Sequence, residues 1–252
     1  MSEGKENRPR QESESKIEVV GSLELAEKLL REQGDLKGND TWMGIGVNKK
    51  TYPDEMVLDF ARWASKSSDN FLLVVADFVQ KYNLVASTGN WDNLYEGKKA
   101  RKMDREGEKR ADEITSLVKG AKLENVQVVG WVDLMKGIEK ENEKNNLMVN
   151  YGFQQFDYRY QHDVKFREAL QGVVKKQIPH VLKDLEARGR NPQMTLDASA
   201  MYAMEEIFAS WLLVETKKYP IKIGHEGEKL YDEITASLFE DETKFGSVYL
   251  RR

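Results

Sequence analysis

Apolar residues recur along this chain in two rhythms, and the alternation between them predicts its elements. Residues 22–33, SLELAEKLLREQ, carry Leu23, Leu25, Ala26, Leu29 and Leu30 at helical spacing, and Gly34 and Gly38 end the pattern. WMGIGVN (42–48) is a short apolar run closing on Gly and Asn, the pattern of a buried strand opening into a loop. Pro53, Asp54 and Glu55 then start a helix to about Ser65, with Met56, Val57, Phe60, Ala61 and Ala64 as its apolar stripe. FLLVVADF (71–78) is the continuous apolar run of a central parallel strand. A helix over 98–119, a strand at NVQVVGW (125–131) and a helix from Asp133 to Glu143 follow. Strand–helix alternation of this kind predicts an α/β fold with a Rossmann-like parallel sheet.

The second half reads as mostly helical. Residues 162–188 form a helix that Pro179 kinks or divides. Residues 196–216 form another, KYPIKIG (218–224) a last strand, and 226–239 a closing helix. Residues 1–18 are polar and charged, too poor in apolar surface to offset ordering entropy, and read as a disordered tail before a Rossmann-like domain at 19–252.

Composition narrows the chemistry. The 252 residues include no cysteine, which excludes disulfides, thiolate metal sites and a cysteine nucleophile. No apolar run is long enough to span a bilayer, and the N-terminus has no signal-like apolar core, so a cytoplasmic protein is expected. The 39 Lys+Arg stand against 43 Asp+Glu, a net charge of −4, which argues against a protein coated in positive charge but not against a local basic patch.

That patch exists on the helix at 98–119. On a helical wheel Lys98, Lys102, Arg105 and Lys109 fall within about 60° of one another, with Arg101 at the edge. Ala100, Met103, Gly107, Ala111, Ile114 and Val118 occupy the opposite side. A row of long cations on a rigid rod suits the repeating phosphates of a nucleic-acid strand. A solvated helix laced with ion pairs, such as Asp104 with Lys109, fits the same pattern.

MYAMEEIFASWLLVE sets Tyr202 and Glu206 at i and i+4, on one helical face. A carboxylate there can accept a proton from an amine, while a half-buried Tyr beside a surface Glu is the structural alternative. The GIG at 44–46 is too short for a dinucleotide fingerprint, and neither GxGxxG nor GxxxxGK[ST] occurs. His162, His180 and His225 lack the spacing of metal ligands. No metal or cofactor is expected. Asp77 falls near the end of a strand, where α/β proteins bind ligands, and Asp197 near the start of a helix.

Four segments taken in order resemble the cyclodipeptide synthases. They are MGIGVNKKTY, ARKMDREGEKRADEI (100–114), VVGWVDL (128–134), and YAMEE followed by KYPIKIGHEGEKLY (218–231). The resemblance implies a fold like the catalytic domain of class I tyrosyl- and tryptophanyl-tRNA synthetases. It also implies use of two aminoacyl-tRNAs per product, release of a cyclic dipeptide without ATP, and no role for DNA or a membrane. Carried over, Tyr202 and Glu206 fall on the pair that holds the aminoacyl ammonium group, and Tyr219 near a later active-site tyrosine. Lys98, Arg101, Lys102, Arg105, Lys109 and Arg110 fall on the tRNA-binding helix. Gly44, Gly46, Asn48 and Thr51 fall on the first strand and loop. There the family carries a serine that accepts the acyl group. The matching position here is Gly46 or Asn48, and Thr51 is the nearest hydroxyl. An arginine-using branch of the family would need a buried acid in the pocket, for which Asp77, Asp197 and Glu205 are the candidates. The rival expectations are a non-catalytic tRNA-binding relative and an unrelated α/β small-molecule enzyme.

Overall fold

The computed structural model describes residues 17–76, 81–82, 85, 98–187, 192–217, 219–225, 229–236 and 244–251. Among these, six strands form one sheet: β1 (Glu18–Leu23), β2 (Thr41–Ile45), β3 (Phe71–Val75), β4 (Val126–Gly130), β5 (Ile221–His225) and β6 (Gly246–Arg251). Their order is β1-β6-β5-β2-β3-β4. β1 runs antiparallel to β6, and every other neighbouring pair is parallel. The five parallel strands, renumbered along the chain, thus lie in the doubly wound order 3-2-1-4-5.

Alternation along the strands loads both faces of the sheet. Met43, Ile45, Leu73, Val75, Ile223 and Val248 turn to one face and are covered by α1 (Glu24–Gln33), α2 (Asp54–Ser67) and α3 (Lys98–Gly120). Trp42, Leu72 and Val74 turn to the other, against α4 (Trp131–Glu139), α5 (Glu143–His162) and α8 (Gln193–Leu212). Burial on both faces explains why FLLVV is apolar without a break. A third cluster joins α5, α6 (Val164–Gln177) and α8 through Tyr160, Phe166, Leu170, Leu196 and Met204. Helix α8 therefore packs on the sheet and on a helical layer at once. Most of its residues are buried, and its apolar residues run almost all round. Helix α7 (Pro179–Ala187), a π-helical turn at Leu213–Lys217 and α9 (Lys229–Ala236) complete the described elements. No helix among the described residues is long and apolar enough to cross a membrane.

The α/β class and the parallel sheet are as the pattern predicts. Several boundaries are not. Ile17 packs against the first core and Glu18 opens β1, so residues 17 and 18 are not tail. Ser22 and Leu23 belong to that strand, and α1 starts only at Glu24. Pro179 divides the expected 162–188 helix outright. Ile178 leaves helical geometry at φ −118° and ψ 38°, and α7 starts afresh at the proline. Three elements were not expected at all, β1 among them. Helix α5 has its apolar positions diluted by Asn and Gln, and is started by Asn142, whose Oδ1 accepts from Asn145 N at 2.9 Å. Strand β6 borders β5 and pairs β1 from the opposite end of the chain.

Gly246 fixes how closely β6 meets α1. A Cβ there would lie 2.4 Å from the backbone N of Ala26, which no rotamer change relieves. Gly246→Ala is expected to lower the thermal midpoint by a cost of about 2 kcal/mol or more. Gly137→Ala, in a helix where nothing lies within 4 Å, is expected to leave it unchanged or raise it. Thermal unfolding of the two variants side by side checks both.

Candidate active site at the carboxyl edge of the sheet

In a doubly wound sheet, ligands bind where the chain leaves adjacent strands toward opposite faces. Here that point lies between β2 and β5. Helix α2, after β2, packs in the first core through Val57 and Phe60. Helix α9, after β5, meets the other face, where Asp232 Oδ accepts from Lys222 Nζ at 3.0 Å. Against the second face, under α8, is a tight crevice lined by Trp42, Gly44, Val74, Ala76, Trp131, Glu206, Ala209 and Lys222. Gly44 helps leave the space open, because a side chain there would project over the strand beside the Trp42 ring.

Glu206 is half-buried in this cleft, and Tyr202, one helical turn earlier, packs half-buried against the same cluster. The structure thus puts Glu206 and Gly44 on one crevice, with Tyr202 on the apolar cluster beside it rather than among the described lining. Gly46 is buried just past the end of β2. Asn48 is exposed and shapes the loop: its Oδ1 accepts from Lys50 N at 2.9 Å, and its carbonyl accepts from the N–H groups of Thr51 and Tyr52 at 3.1 Å. Thr51 is exposed on that turn. Asp77 lies outside the described residues. Asp197 is nine residues before Glu206, about 14 Å along the helix axis. It accepts from Tyr160 Oη at 3.1 Å and Gln193 Nε2 at 2.9 Å, which ties it to the helical layer.

Tyr219 is not at this edge. Parallel β5 begins at Ile221, opposite Thr41, so Tyr219 precedes the amino end of the strand. Burial and the nearby Asp40 push its phenol up from its ordinary value. The residue that β5 does bring to the carboxyl edge is His225, whose ring centroid is 6.2 Å from that of Tyr52.

Helix α3 carries its cations outward as expected. Arg101, Lys102, Arg105 and Lys109 are exposed, while Gly107, Ile114 and Val118 are buried. Lys98 starts the helix. Ion pairs accompany the stripe: Lys102 with Glu106 at 3.5 Å and Lys109 with Glu113 at 3.7 Å. Exposed pairs of this kind hold their partners weakly and yield to a stronger anion. Asp104 pairs with the buried Lys81 at 2.6 Å, not with Lys109.

Arg110 departs from the outward role. It is 2% exposed, and its guanidinium donates to Asp54 Oδ1 and, at 2.7 Å, to the carbonyl of Tyr52. Lys49, at 2.8 Å from Glu113 and 3.4 Å from Asp54, closes the same network. The Arg110 guanidinium first, then Lys49, holds the Asp54 carboxyl below its ordinary value, and the Lys49 hydrogen bond does the same for Glu113. These groups clamp the loop after β2 to the basic helix. Beside the clamp, Val47, Asn48, Met103, Glu106 and Lys109 line a broader cleft of about 410 Å³.

Sequence reading missed Lys222, Trp42, Trp131 and His225. Lys222 had one visible signal, a lysine between two isoleucines in a buried strand. Glu205 is buried in α8, and Tyr82 Oη donates to its Oε1 at 3.3 Å. Burial pushes the Glu205 carboxyl up to about 7.

This α/β architecture is the fold of the cyclodipeptide synthases. The chain superposes on a cyclodipeptide synthase (CDPS) from Fluoribacter dumoffii with a TM-score of 0.67 at 15% identity, covering 88% of this chain and 93% of that one. For the cyclodipeptide synthase from Bacillus thermoamylovorans the values are 0.62 and 18%, covering 92% and 96%. For the one from Candidatus Glomeribacter gigasporarum, solved bound to Phe-tRNAPhe, they are 0.56 and 12%, covering 90% and 94%. At these identities the likeness is one of fold. No protein-family model matches the chain, and no curated protein matches it.

The raised Glu205 carboxyl has a measurable consequence. The folded protein keeps a proton that the unfolded chain releases near pH 4.5, so its contribution is full below that value and is lost as pH rises to about 7. The loss is at most about 3 kcal/mol. Glu205→Gln is expected to flatten the fall in stability between about pH 5 and pH 8, measured by urea unfolding. An unchanged pH slope in the variant contradicts the assignment.

Proposed function

We propose that this protein is an aminoacyl-tRNA-dependent cyclodipeptide synthase, which joins the aminoacyl groups of two charged tRNAs into a diketopiperazine. The observation that carries the reading is the half-buried Glu206 in the cleft at the β2–β5 switch point, on the same carboxyl edge as the loop that Arg110 clamps to the basic helix α3. The fold shared with solved cyclodipeptide synthases supports it.

In this reading Arg101, Lys102, Arg105 and Lys109, with Lys98 at the helix start, meet the phosphates of the acceptor arm. The ammonium of the first aminoacyl group lies against Glu206 and Tyr202. The amine of the second attacks the ester carbonyl, loses a proton toward Glu206, and the tRNA hydroxyl leaves with a proton. The ammonium of the resulting dipeptidyl ester then gives up a proton, its nitrogen attacks the remaining ester carbonyl and loses a second proton to close the ring, and the second tRNA leaves with a protonated ribose oxygen. The ester is already activated, so positioning and proton transfer are what the protein must supply. Gly46 and Asn48 carry no nucleophile and Thr51 is exposed on the loop, which favours direct attack between two bound esters over an acyl-enzyme. The same observation favours, as a second reading, a tRNA-binding protein without turnover.

Arginine is the proposed partner for Glu205. A guanidinium needs a carboxylate when it leaves water; Asp197 is held by Tyr160 and Gln193, Asp77 lies outside the described residues, and Glu205, with Tyr82 as its described partner, is the buried acid of α8. Charged tRNA as substrate makes the cytoplasm the working compartment.

Incubation with charged tRNA is expected to yield a diketopiperazine by mass spectrometry, with arginine as one residue. Glu206→Gln and Tyr202→Phe are each expected to cut turnover at least ~100-fold with tRNA affinity kept. tRNA binding without product from any aminoacyl-tRNA pair selects the second reading. Reversing Lys102 and Arg105 to Glu is expected to weaken tRNA binding and lower the slope of log K against log salt by about 2. Unchanged tRNA affinity removes α3 from the interface.

A further inference from the structure

We infer that Lys222 is a second catalytic group of this cleft, and that its ammonium takes the carbonyl oxygen of the bound acyl group. The inference rests on the proposed use of aminoacyl esters.

Lys222 sits in β5 between Ile221 and Ile223. Those two turn to the first core and Lys222 to the opposite face, where it is 3% exposed. A lysine this deep pays a desolvation cost that only a partner offsets. The partner is Asp232 of α9, itself fully buried, at 3.0 Å, and the ammonium also lies 5.8 Å from the centre of the Trp42 ring. A pair of well-packed apolar residues would serve packing as well as this pair does. What the pair adds is a positive charge fixed in direction, and Lys222 lines the cleft that Glu206 lines.

Among the described residues the rest of the lining is apolar or aromatic: Trp42, Gly44, Val74, Ala76, Trp131 and Ala209. One carboxylate and one ammonium on such walls complement a ligand with an ammonium at one end and an electron-rich oxygen near it. An α-aminoacyl ester has that form. Its ammonium meets Glu206 and its carbonyl oxygen meets Lys222. When the amine of the second substrate forms its bond to the carbonyl carbon, the C=O electron pair moves onto oxygen, beside the Lys222 ammonium. The pair returns as the bond to the ribose oxygen breaks, and that oxygen takes up the proton the attacking nitrogen gave to Glu206. Walls that exclude water make a fixed cation most effective at that oxygen. Asp232 acts through Lys222 as a positioning residue.

The test is turnover of the full-length chain carrying Lys222→Met together with Asp232→Asn, which removes both buried charges and leaves neither unpaired. With a wild-type thermal midpoint, kcat is expected to fall ~100-fold or more while KM for aminoacyl-tRNA stays within about twofold, as for loss of one oxyanion donor. Lys222→Arg is expected to recover part of that loss. A folded double variant with kcat within threefold of wild type overturns the inference and leaves the synthase reading standing. A wild-type chain that makes no product overturns both. If the double variant does not fold, competition on the unaltered protein decides. The probes are the amide of the amino acid found in the product and its decarboxylated amine (L-argininamide and agmatine for arginine). The amide is expected to inhibit at least ~10-fold more tightly, and equal inhibition overturns the assignment.

Discussion

A parallel strand can hand its chain to either face of the sheet, and here two neighbours make opposite choices. β2 sends the chain to α2 on one face, and β5 sends it to α9 on the other. The crevice between them follows from that divergence. Everything that reads as chemistry is arranged about it: a helix buried nearly all round carries Glu206 over it, Gly44 keeps a side chain out of it, and Lys222 lines it from β5.

Charge is sorted by depth as well as by sign. The net value of −4 describes a sum in which opposite roles cancel. Exposed cations on α3 stand next to carboxylates that screen them until a stronger anion arrives. Buried ones are each held by an aspartate: Arg110 by Asp54, 56 residues earlier, Lys222 by Asp232, ten residues later, and Lys81 by Asp104. The first kind is suited to a polyanion that must come and go. The second fixes geometry, because removing either partner strands a charge away from water.

How far the sequence carries the argument depends on how local each signal is. The strand and helix rhythms of residues 41–130 are local, and they predict β2, β3, β4, α2 and α3 to within a few residues. The i,i+4 relation of Tyr202 and Glu206 is likewise contained in one helix. β1 and β6 are not legible, since each is short and their mutual pairing joins segments more than two hundred residues apart. Arg110 reads as one more cation because its burial depends on Asp54 and Tyr52, 56 and 58 residues earlier. Tyr219 misleads for a different reason. Its role comes from the resemblance alone, and in the expected strand at 218–224, as before β5, it stands at the amino end of a parallel strand.

The clamp at Arg110 has a mechanical meaning. The rod that faces outward and the loop that frames the crevice share one guanidinium, with Lys49 as a second strut. Neither can roll or slide without shearing bonds to the other. A large molecule seated on the rod is therefore indexed against the loop, as a workpiece is against a jig, and the precision of the docking surface is passed to the small cleft beside it.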